Sequence, residues 1–213
     1  MDAAKRQTIL INAAHSFTHY SLLILATAVL AMVQQDSGIF GGDYGPILAL
    51  GTAMFVIYGI CALPMGWLAD RFGRRFLMIA FFMGSGAFMV AAGFAPSPLM
   101  LAITLGAMGA FVAIYHPIGT AILVEAAGPK VGRAMGINGV FGNLGVATAP
   151  VLTAFIAADA GWRWAFMVFA FLDTLDVEGS YEPQYGDGVT GEHQPYVVSL
   201  SSTFGGAGVA TSW

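Results

Sequence analysis

The ten residues Gly66–Arg75 read GWLADRFGRR, and a long apolar stretch lies on either side of them. Asp70, Arg71, Arg74 and Arg75 carry the charge of this segment, and Gly66 and Gly73 frame a tight reversal. Two adjacent apolar spans joined by a short basic turn describe a transmembrane hairpin whose loop lies in the cytoplasm.

The rest of the composition agrees. Of 213 residues, 57% are hydrophobic and 9% are charged, and the mean hydropathy is +0.75. A soluble domain built this way would lack the polar surface needed to cover it. The chain therefore reads as a polytopic, all-α membrane protein. Its lone cysteine, Cys61, excludes an intrachain disulfide. The first apolar stretch is too long for the core of a cleaved signal peptide, so it reads as a signal anchor.

Taken in order, the spans cover about 8–33, 46–68, 76–95, 99–124 and 134–156. Each reaches the roughly 20 residues that a hydrocarbon core of about 30 Å requires. Lys5 and Arg6, the Arg71–Arg75 cluster, and Lys130 with Arg133 fall on alternate connections. The positive-inside rule then places the N-terminus and these turns in the cytoplasm, at the inner membrane. A sixth apolar run starts at Trp162 and ends near Leu172, which is too short to cross. From Asp173 to Trp213 come six acids, no Lys or Arg, and many Gly, Ser and Thr. The expected organisation is a membrane half-bundle over 1–172 and an acidic, disordered tail over 173–213 that is foreign to it.

GWLADRFGRR resembles the signature loop between the second and third helices of the major facilitator superfamily (MFS) of secondary transporters. Gly161-Trp162-Arg163-Trp164-Ala165-Phe166 resembles that family's entry to the sixth helix. The resemblance spans about Lys5 to Leu172 and implies the N-terminal half of an MFS fold, with five full transmembrane helices and an incomplete sixth. The abrupt change after Leu172 predicts a truncation, a fusion or a shift of reading frame there. The resemblance further implies that Asp70, Arg71, Arg74 and Arg75 act as a conformational latch, with Gly66 and Gly73 permitting close helix approach. It implies transport of a small solute by alternating access, driven by an ion gradient. The partners implied are the lipid bilayer, a solute, protons, and a second half-transporter or a second copy of this chain. Two other readings stand beside this one: a non-functional transporter fragment, and a membrane-embedded scaffold that presents its acidic tail to a basic partner. No catalytic set, phosphate-cradling loop, cofactor motif or nucleic-acid-binding pattern is visible, so an enzyme is not expected.

Within the spans, Asn12, His15 and His19 share one face of the first helix. Polar groups at such depth are costly in lipid and should face the bundle or a water-filled cavity. His15 and His116 lie at matching depths in the first and fourth helices, which line the central cavity in the resembling family. The two are expected to approach each other, as proton-coupling, solute-binding or structurally bonded histidines. Glu125 and Asn143 are further cavity candidates. The His15-x3-His19 spacing permits metal ligation, but no acid or cysteine nearby completes a set, so no metal is expected. His116-Pro117-x-Gly119 resembles the fosmidomycin-resistance branch of MFS exporters.

The fifth span is rich in small residues. Gly132, Gly136 and Gly139 share a face with Asn143, and Gly142, Gly145 and Ala149 form another. Such rows let helices pack closely in a membrane. Gly145 to Pro150 resembles the fifth-helix motif of MFS antiporters, but Ala149 replaces a glycine, and Thr153 and Ala154 stand where its last glycine pair belongs.

Overall fold

The computed structural model describes residues 3–179, with side chains over 5–170. The acidic tail beyond Gly179 lies outside the described residues. Every described element is helical: α1 (Ala3–Gln35), α2 (Ser37–Phe40), α3 (Tyr44–Ala62), α4 (Met65–Phe72), α5 (Arg74–Gly93), α6 (Pro98–Val112), α7 (Tyr115–Ala127), α8 (Val131–Asp159) and α9 (Trp162–Gly179). A 3-10 turn, Gly128–Lys130, links α7 to α8.

Four stretches are long and apolar enough to cross a membrane: Lys5–Gln35, Tyr44–Ala62, Arg74–Gly93 and Pro98–Asp159. The last, at 62 residues, exceeds a single crossing of about 20 residues several-fold. It turns at Gly128, whose φ of +51° suits glycine, and so supplies the fourth and fifth spans as separate legs. Large apolar side chains such as Leu63, Phe155 and Leu99 stand exposed on the outside of the bundle. That arrangement suits lipid as solvent, and the protein is an integral membrane protein.

Prolines set the breaks within spans. Span two divides at Leu63-Pro64 into α3 and α4. Span four divides at Ala113-Ile114, because Pro117 has no N–H to offer the carbonyl of Ala113 four residues earlier. His116 thus sits in the first turn of α7, beside the break. Helix α6 starts on Ser97, whose hydroxyl accepts from the Met100 N–H, with Pro98 at the first helical position.

The most extensive pairings are α1 with α8, α3 with α6 and α5 with α9. These are spans one with five, two with four and three with six. Exchanging the first three spans for the last three maps this set onto itself, the pattern of two three-helix repeats. The first two of these crossings use a glycine from the second repeat. A Cβ at Gly145 would lie 2.2 Å from the Ser16 carbonyl oxygen, and one at Gly109 would lie 2.4 Å from that of Met54. Each position admits no side chain.

Helix α9 corrects the expected end of regular structure. Its backbone continues past Leu172 to Gly179, so Asp173, Asp176 and Glu178 extend a helix that the loss of apolar periodicity did not foreshadow.

The two ends of the bundle are polar in different ways. At one end Arg74 and Glu125 pair at 2.5 Å, bringing the Gly73 turn beside the Gly128 turn. At the other, Arg163 donates to the carbonyls of Gly93 (2.9 Å) and Ala95 (3.1 Å) and pairs with Asp36 at 3.2 Å. Trp162 joins this knot through its indole N–H to Asp36 (2.8 Å) and its backbone N–H to Gln35 (3.1 Å). The knot borders an open depression of about 420 Å³.

Candidate functional site

The polar heart of the bundle lies where α1, α7 and α8 meet. Asn138 is its hub and is 1% exposed. Its amide donates to Asn12 Oδ1 and to the Tyr115 hydroxyl oxygen, each at 2.9 Å. The Tyr115 hydroxyl in turn donates to the Ile11 carbonyl at 2.9 Å. The Asn138 backbone carbonyl faces His15 Nδ1 at 2.7 Å. A carbonyl only accepts, so Nδ1 carries a hydrogen, and in the neutral ring Nε2 then holds the lone pair.

That lone pair faces His19 Nε2 at 3.1 Å. His116 completes a triangle, with ring centroids 5.2 Å from His15 and 5.5 Å from His19. The Tyr115 ring stacks on His15 at 5.0 Å, and Tyr58 stands edge-on to His116 at 6.4 Å. His15 is buried, whereas His19 and His116 are half-buried. The cluster therefore has a buried inner member held by backbone and two half-buried outer members.

Small residues make this possible. A Cβ at Gly142 would lie 2.6 Å from His15 Cε1, so glycine leaves the space that the imidazole occupies. Ser16 donates to the Phe141 carbonyl at 2.6 Å and secures the same crossing. One turn farther on, Tyr20 and Thr153 share a hydroxyl bond at 2.5 Å, and Tyr20 stacks on Phe169.

Asn12, His15, His19 and His116 thus come together, from helices that are far apart in sequence. Glu125 does not join them. It stands at the end of α7, paired with Arg74 and half-exposed, because the α7 axis carries it away from the histidines towards the basic turn. Asn143 also stands apart: it is exposed and bonds its own helix at the Gly139 carbonyl. Of the glycines expected to pack helices, Gly142 and Gly145 touch α1, whereas Gly136 and Gly139 meet nothing within 4 Å, and Pro150 is exposed. Gly66 likewise faces open space, while Gly73 is required by its φ of +84°. Asp70, Arg71 and Arg75 are exposed around that turn. Tyr115 and Asn138 were missed. An amide within an apolar span was a usable signal at Asn138, but nothing in a lone tyrosine marks it as a partner.

A polar network thus joins the first and second repeats within a bundle of apolar spans. Comparison with known proteins identifies the family. The model of the Major Facilitator Superfamily matches residues 10–172. The chain belongs to this superfamily. It is 38% identical over 154 residues to the multidrug resistance protein B homolog of Mycobacterium tuberculosis, covering 68% of this chain and 28% of that protein. It is 30% identical over 138 residues to a probable sulfoacetate transporter of Cupriavidus necator, covering 64% and 31%. It is 27% identical over 168 residues to the multidrug resistance protein MdtG of Escherichia fergusonii, covering 70% and 40%. The chain thus spans less than half the length of these relatives. The family is one of transporters, not enzymes, and the superfamily match stops at Leu172, where the apolar run of the sixth span also ends.

Proposed function

We propose that the described bundle is one half of an MFS secondary transporter and carries the inner wall of a path for a small organic solute. The reading rests on one observation above all: Asn12, His15, His19, Tyr115, His116 and Asn138 converge within a lipid-adapted bundle. A polar cluster of this kind is expensive in lipid, so it faces the bundle interior or a water-filled cavity, and its half-buried members His19 and His116 favour the cavity. The relatives named for multidrug resistance and for sulfoacetate favour an organic solute. Resemblance at His116-Pro117-x-Gly119 to the fosmidomycin-resistance branch favours export.

In this reading the Arg-bearing end lies in the cytoplasm. The open α8 face around Gly132, Gly136 and Gly139 receives the second half, supplied by another chain or another copy. Asp70 and its neighbouring arginines form a latch against that partner, and Gly66 accommodates its approach. An ion gradient drives the cycle.

The test is accumulation in cells that express this chain, with and without a separately encoded C-terminal half from a relative. A fluorescent organic cation and a radiolabelled organic sulfonate serve as solutes. The expected result is a change in accumulation that an uncoupler abolishes and that His116→Ala loses. Accumulation matching empty vector for both solutes, with both partners in the membrane, would remove the proposal.

A further inference from the structure

We infer that His15, His19 and His116 form a three-imidazole binding site for a divalent transition-metal ion of the zinc type. The sequence offers only the His15-x3-His19 pair; the fold adds the third ligand from α7. One ligand nitrogen from each ring can be chosen so that all lie within 4.8 Å of one another. In a tetrahedral site with metal–nitrogen bonds of about 2.0–2.1 Å, ligand nitrogens stand roughly 3.3 Å apart. His15 and His19 already meet that separation, with Nε2 atoms 3.1 Å apart. The remaining contraction falls to His116, which is half-buried and beside the helix break at Ala113-Ile114.

Two features separate this cluster from an incidental meeting of rings. The first is the support behind His15. Its Nδ1–H is held by the Asn138 carbonyl, the outer contact that commonly orients a metal-bound imidazole and presents Nε2 to the ion. Asn138 is in turn held by Asn12 and Tyr115. The second is the ligand set itself. Imidazoles suit zinc, copper, nickel and iron rather than calcium or magnesium. Three protein ligands leave a fourth position open for water or a donor atom of a solute. That open position deepens the transport reading and in this respect rests on it, because it would face the proposed solute path.

The experiment uses the 213-residue chain, purified in nanodiscs through a tag without histidine. It is titrated with Co2+ and then with Zn2+ as competitor. Visible absorption separates a tetrahedral nitrogen-ligated cobalt ion from the weakly absorbing octahedral ion held by carboxylates. One tetrahedral site per chain is expected, displaced by zinc, in the wild type and in His193→Ala, which removes the fourth histidine of the sequence. His116→Ala and His19→Gln are expected to weaken binding at least about tenfold. A wild-type chain without the tetrahedral spectrum overturns the inference. So does unchanged affinity in either variant that retains the helical circular dichroism of wild type. The readout needs no transport, so a failed flux assay and a failed titration remain distinct results.

Discussion

The imidazole of His15 occupies the space of a missing side chain on Gly142, where a Cβ would fall 2.6 Å from the ring. The position of the first histidine in the cluster is thus set by a residue 127 positions away in the chain. Gly142→Val should drive His15 off the Asn138 carbonyl and cost about 1–3 kcal/mol through overpacking. Thermal unfolding in detergent, followed by tryptophan fluorescence, should show a lowered midpoint. Gly136→Ala and Gly139→Ala, whose new methyls meet nothing within 4 Å, should leave the midpoint unchanged or raise it.

Asn138 should behave as the hub of a buried network. Asn138→Leu strips a donor from both Asn12 and Tyr115. Interhelical hydrogen bonds in membranes average about 0.6 kcal/mol, with larger values near 2, and the groups left unpaired add to the loss. The double variant Asn12→Leu/Asn138→Leu should cost less than the sum of the single ones, since fewer polar groups are then stranded. Additive losses would show that the amides act independently.

The two ends of the bundle should answer differently to charge removal. Arg163 holds two backbone carbonyls and Asp36 in a partly buried knot, so Arg163→Gln should cost about 1.5–3 kcal/mol. Arg74 and Glu125 are 40% and 45% exposed, and breaking such a surface pair costs about 0–1 kcal/mol. Unfolding midpoints at low and high salt check both: salt should erase the effect of Arg74→Gln and leave most of that of Arg163→Gln.

Gly73 makes the basic turn, whereas Gly66, expected to frame it, lies near the start of α4, and the two should not be equivalent. Gly73 holds φ +84° and ψ 145°, a region almost closed to other residues, so Gly73→Ala should cost about 1–3 kcal/mol. Gly66 lies within α4 with open space around it, and Gly66→Ala should be neutral in this chain. Equal midpoints for the two variants would show that the turn relaxes without strain.

Much of the fold was legible because lipid imposes its own rules on a sequence. Apolar length marks the spans, the arginines of Gly66–Arg75 mark a turn, and histidines within spans mark a polar interior. His15 and His116 could be matched by depth because both lie on helices of known direction and rise. Other features depend on rotation about helix axes, which depth does not reveal. Asn143 and Asn138 differ by five residues, yet one is exposed and the other is the buried hub. Gly139 and Gly142 differ by three, yet only the second meets α1. The hydrophobic pattern of α8 could not make the distinction, because in a membrane the outward face is as apolar as the inward one. The Asp36–Arg163 pair was hidden for another reason: Asp36 sits between α1 and α2 and Arg163 in the first turn of α9, and only the packing of α1 against α9 unites them.

The central claim is that the histidine cluster opens on an aqueous path rather than on lipid or packed protein. Cysteine labelling with a membrane-impermeant maleimide tests it directly. In a Cys61→Ser background, His19→Cys and His116→Cys would be compared with Phe81→Cys, which replaces a side chain 1% exposed. Maleimide reacts with thiolate, which forms in contact with water and not in hydrocarbon. The account predicts labelling at positions 19 and 116 and protection at 81. Protection at both 19 and 116, with a cysteine in an exposed turn labelled in the same membranes, would contradict it.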